Sequence, residues 1–146
     1  MATNNMRDPI LEDLFNFLVD TSKHLLDKYG EMYPHAASAD NEGKSNVVGV
    51  YWGDEHPRSQ SVLDEFDDIF RDLARRGQIA AAGVALNARI KTPELGESDA
   101  IIVHLEHKSG DAVTVSVPYV KKDDGSIEYG EAISSKRKLT WFAQQK

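Results

Sequence analysis

The chain has 146 residues and no cysteine, with 40% hydrophobic and 28% charged residues. That is the length and make-up of one ordinary domain able to bury a core, and it excludes a disulfide framework, a thiolate metal site and a cysteine nucleophile. The net charge of −7, from 17 basic and 24 acidic residues, argues against nucleic acid as a partner, because phosphate recognition needs a basic footprint.

No apolar run approaches the about 20 residues of a membrane span, and no basic-then-apolar leader is visible at the start. A cytoplasmic protein with no membrane association and no cofactor is expected. Met1–Arg7 reads as a flexible tail, residues 8–142 as one domain, and Ala143–Lys146 as a frayed end.

The first helix is the clearest element. Asp8 is placed to cap it and Pro9 suits its first position. Ile10, Leu11, Leu14, Phe15, Phe17, Leu18, Leu25 and Leu26 recur at helical spacing, and Gly30 provides a left-handed stop. Glu31 to Gly43 reads as loop, with Pro34, Asp40, Asn41 and Gly43 as turn residues. Ser45 to Trp52 reads as a strand, and Gly53 to Ser59 as a charged loop. A second helix is expected from about Ser61, capped by Ser61 with Asp64. Its apolar face is Val62, Phe66, Ile69, Phe70 and Leu73, and Arg71, Arg75 and Arg76 suit the negative end of its dipole.

From Gln78 onward the pattern is that of strands. Gln78 to Lys91 alternates, with Ala80, Ala82, Val84, Leu86, Ala88 and Ile90 on one side. Thr92 to Ser98 reads as a turn. Asp99 to Lys108 and Asp111 to Lys121 follow, then Ile127 to Ser134 after the Asp123-Asp124-Gly125 turn. A two-residue turn at Ser109-Gly110 would mix polar and apolar side chains on both faces. A shifted register, pairing Leu105 with Val115 and Val103 with Val117, separates them and demands a longer loop or a bulge at Gly110. Pro118 points to an edge or a bulge, with Tyr119 inward. Leu139 to Phe142 is a short apolar patch expected to pack back on the body. The expected fold is α+β, in the order α-β-α-β-β-β-β: an antiparallel sheet of about five strands with both helices on one face.

None of the common catalytic or phosphate-binding fingerprints is present. Four local sets remain. Glu31 and His35 pair a carboxylate with an imidazole, as acid–base chemistry requires, but also fit a post-helix loop. Asp54-Glu55-His56 offers ligand types for a divalent cation, though adjacent residues rarely converge on one ion. His104 and Glu106 alternate on one strand face, where they line a site or make cross-strand hydrogen bonds. Ala81, Gly83 and Ala85 form a small-residue face that admits close approach by a second copy of the chain. The short basic runs Lys121-Lys122 and Lys136-Arg137-Lys138 read as solvated charge at sheet edges.

The residues Gly30-Glu31-x-Tyr33-Pro34-His35, Asp99-Ala100-Ile101, Leu105-Glu106-His107 and Pro118-Tyr119 together resemble a group of small bacterial proteins of unknown function. The likeness runs from the first helix to about Tyr129. It implies a bacterial origin and an α+β layout, and it brings no activity. The usual variant of the group carries an aromatic at the position of His35, so the resemblance assigns His35 no catalytic role.

Three functional expectations follow. The first is a non-catalytic binding protein that self-associates through its sheet as a homodimer. The second is an acidic immunity or antitoxin-type protein that binds a basic toxin, with Asp64-Glu65-Phe66-Asp67-Asp68 as the contact. The third is a small enzyme or metal-binding protein using Glu31, His35, His104 and Glu106, which requires those groups to share a pocket.

Overall fold

A computed structural model describes residues 8–50, 59–93 and 96–143. The Met1–Arg7 tail, Tyr51, Trp52, most of the Gly53 to Ser59 loop with Asp54-Glu55-His56, and residues 144–146 lie outside the described residues.

The elements are α1 (Pro9–Tyr29), β1 (His35–Ala39), β2 (Ser45–Val50), α2 (Ser59–Arg75), β3 (Ala81–Thr92), β4 (Gly96–His107), β5 (Ala112–Lys121), β6 (Ile127–Tyr129) and β7 (Ile133–Lys136). α1 has the boundaries its caps dictate. Asp8 accepts from the Ile10 amide, and Gly30, left-handed at φ 76°, returns its amide to Leu26. α2 begins by Ser59, so Ser61 lies inside the helix and not at its cap.

The strands form one antiparallel sheet in the order β2-β1-β3-β4-β5-β6, with β7 also paired to β5. The fold is α+β, with more strands than expected. β1 lies within the stretch read as loop. Its residues, His-Ala-Ala-Ser-Ala, are all buried and pair on both sides. The strand is covered on both faces, Ala37 and Ala39 in the cluster under α1 and Ala36 in the cluster under α2, so small side chains let the helices approach. The last expected strand is two. β6 stops opposite Tyr119 and β7 starts opposite Ser116, leaving a break beside Pro118, which has no amide to donate.

β4 and β5 are joined through a four-residue loop, Lys108 to Asp111, with Gly110 at φ 110° and its amide bonded to the His107 carbonyl. The longer loop is as expected, but the pairs lie two residues from the expected ones. Leu105 faces Val113, and Val103 faces Val115. A shift of two preserves the faces, so the apolar residues remain together.

The helices do not share a face. α1 packs on Ala37, Ala39, Ala81, Ala85, Ile101, Val103, Leu105, Val113, Val115 and Val117. α2 packs with Trp141 on Ala36, Ala82 and Val84, whose side chains point the other way. The expectation of a sheet covered on one side is therefore corrected: β3 reads as small and apolar on both sides because helices bury both. The Leu139 to Phe142 patch does pack back, with Trp141 buried edge-on against Phe70 at 5.0 Å between ring centroids.

Candidate functional site

The sequence candidates divide between the two faces. His35 faces α1 and is buried. Its Nε2 lies 3.1 Å from Ser22 Oγ and 3.3 Å from the Leu18 carbonyl, and its Nδ1 lies 3.1 Å from the Tyr33 carbonyl. Burial lowers its pKa, against the opposing pull of those carbonyls. Glu31 is exposed. His104 and Glu106 stand on the opposite side of the sheet, across from Val84 and Ala82. The sheet thus separates His35 from His104 and Glu106, and a shared pocket for the four residues is excluded.

Ala81, Gly83 and Ala85 are buried beneath α1. A Cβ on Gly83 would meet Leu18 Cδ1 at 2.7 Å and Leu105 Cδ2 at 2.8 Å. Their small size serves the approach of the helix, and that face is not open to a second copy.

The α2 face is polar at its centre. Glu106 is 0% exposed and accepts from the C-terminal segment. Its donors are Arg137 Nε at 2.9 Å, the Thr140 amide at 3.1 Å, Thr140 Oγ1 at 2.8 Å, the Trp141 amide at 2.9 Å and the Phe142 amide at 3.3 Å. Three successive amides and a guanidinium replace the water this carboxylate loses. Next to it, His104 Nδ1 lies 2.8 Å from Thr114 Oγ1. Burial first, and then the Arg137 charge, push the His104 pKa down to about 4, so the ring is neutral at neutral pH. Trp141 Nε1 donates to Asp67 at 2.8 Å, which ties one member of the acidic Asp64 to Asp68 stretch into the fold.

Beside this network opens a cleft of about 600 Å³. It lies between the C-terminal end of α2, the β1–β2 turn, the β4–β5 loop and the C-terminal segment. Arg71, Arg75 and Lys108 bring three cations to it, and Ala74, Ile79, Trp141 and Phe142 supply apolar surface. No carboxylate lines it among the described residues. Arg71 reaches the exposed Asp68 only at 3.9 Å, a separation at which an exposed pair is weak. Arg75 and Arg76 both pair with Asp72, at 2.7 and 2.9 Å, so one carboxylate answers two guanidiniums. Lys108 Nζ donates to the neutral Asn41 Oδ1 at 2.9 Å. A local excess of positive charge results, on a chain whose net charge is −7.

Sequence reasoning placed Arg71 and Arg75 only at the end of a helix and gave Lys108 and Thr140 no role. The one available signal was the i, i+4 spacing of Arg71 and Arg75, which sets both on one side of α2. Among the described residues no three His, Asp or Glu side chains gather as a metal site would require. Comparison with family models, with curated proteins and with solved structures finds no match for this chain.

Proposed function

We propose that this is a non-catalytic binding protein whose cleft takes an anionic ligand with an apolar body. One observation carries the reading: Arg71, Arg75 and Lys108 converge on a partly apolar cleft that no carboxylate lines among the described residues. Ionic groups on one wall would fix the anion, and Ile79 and Phe142 would bury the rest of the ligand, the division of labour usual in small-molecule sites. A catalytic role draws no comparable support. The buried ionisable groups among the described residues, His35, Glu106, His107 and Tyr119, are engaged with Ser22, the C-terminal segment, Asp8 and Asn87, and none of them lines the cleft.

Calorimetric titration tests the reading with phenyl phosphate and octanoate as probes, and benzylamine as the cationic control. Saturable binding of an anionic probe, absent for benzylamine, is expected. In the Arg71→Ala/Lys108→Ala variant the affinity should fall at least about tenfold, equivalent to about 1.4 kcal/mol. No saturable binding of either anion, or an unchanged affinity in the variant, would remove the proposal.

A further inference from the structure

The C-terminal wall of the cleft is held by a single side chain. Thr140, Trp141 and Phe142 belong to neither helix nor strand, and Glu106 is the acceptor for their consecutive amides. The same carboxylate takes Arg137 Nε, and the Arg137 guanidinium lies 4.8 Å from the centre of the Trp141 ring. Carboxylate, guanidinium and indole therefore lock as a unit. Without the carboxylate, three amides and a guanidinium would lose their shared acceptor together, so release of the segment would be all-or-none, and only the seated arrangement would supply the wall.

We infer that Glu106 latches residues 137–142 as a strap that completes the cleft, so that an anionic ligand in the cleft and the closed latch stabilise each other. The inference rests on the reading of the cleft as an anion site. Reciprocity is required: if closure favours the ligand, the ligand favours closure by the same factor. Glu106 is a positioning residue in this scheme. It lies outside the cleft lining and acts through the backbone that forms it. The cations Arg71 and Lys108 stand on other elements, α2 and the β4–β5 loop, and do not depend on the strap for their place in the chain.

The test uses the full chain with Trp52→Phe, which leaves Trp141 as the single indole, and phenyl phosphate as the probe. Amide hydrogen exchange at Thr140, Trp141 and Phe142 should slow as the probe saturates. Glu106→Gln should lower affinity at least about tenfold and shift Trp141 emission to the red as the ring meets water. Arg71→Ala should lose affinity while Trp141 emission stays as it is. Wild-type affinity in Glu106→Gln, with Arg71→Ala impaired, would overturn the latch and leave the cleft reading standing. Full affinity in Arg71→Ala would remove the cleft reading and the latch with it. Should Glu106→Gln fail to fold, exchange in the chain with Glu106 intact decides: no slowing at residues 140–142 on saturation overturns the inference.

Discussion

The two faces of this sheet solve one problem by different means. Under α1 the contact is made by size. Leu11, Leu14, Leu18 and Leu26 lie on alanines, a glycine and a row of valines, and two buried histidines meet the helix itself, His35 at Ser22 and His107 at the Asp8 cap. On the α2 side the helix covers β1 and β3, and an irregular segment is held over the next strand by a buried carboxylate. Apolar packing is tolerant and non-directional, so it suits a helix that only needs to stay in place. A latch of directed hydrogen bonds fixes backbone atoms at a chosen position, which is the requirement of a wall beside a cleft. The contrast puts size-matched packing under α1 and directed hydrogen bonds on the α2 side, beside the cleft proposed to bind.

The largest expected effect comes from breaking the directed side. Glu106→Ala strands three amides and the Arg137 guanidinium, and loss of one partner from such a buried set costs about 3–5 kcal/mol. Urea unfolding followed by far-ultraviolet circular dichroism would measure it. A loss below about 1 kcal/mol would show that the segment is held by Trp141 packing and not by the carboxylate.

The size-based side is tested by Gly83→Ala. The new methyl meets Leu18 and Leu105, and overpacking of this kind costs about 1–3 kcal/mol. In a Leu18→Ala background one clashing atom is gone and the methyl enters the space it leaves. The double variant should therefore be more stable than the sum of the two single losses predicts. Additivity within about 0.5 kcal/mol would show that α1 shifts freely and that the small residues do not set its height.

What could be read beforehand follows the range of the physics. α1 was legible at both ends because a cap acts over two to four residues, from Asp8 and Pro9 to Gly30. The longer loop at Gly110 was legible because a two-residue turn would mix polar and apolar side chains on both faces of β4 and β5. β1 was not, since strand propensity is written in β-branched and aromatic residues and this strand carries alanine where its two faces are covered. The two-sided burial of β3 was present in its sequence, but nothing local tells which apolar face meets which helix. The cleft was the least legible feature. Arg71, Lys108 and Trp141 converge only through the sheet order and the path of the C-terminal segment, neither of which leaves a periodic trace.

The smallest effect sharpens the comparison through pH. His104 has a folded pKa of about 4, against about 6.5 for the unfolded chain. The folded value is the lower one, so as pH falls the unfolded chain takes up the proton first. The neutral ring's contribution is complete above about pH 6.5 and drains away as pH falls toward 4. His35, also lowered by burial, acts in the same direction from the other face. Melting temperature should decline across that window, and His104→Asn should make the decline shallower without flattening it, because His35 remains. The increment is modest, since the His104 ring is only partly buried and solvent screens part of its interaction with Arg137. Thermal melts of both chains at half-unit pH steps would separate the two histidines. An unchanged slope in His104→Asn would assign the acid sensitivity to the α1 face and leave the polar face insensitive to protonation of His104.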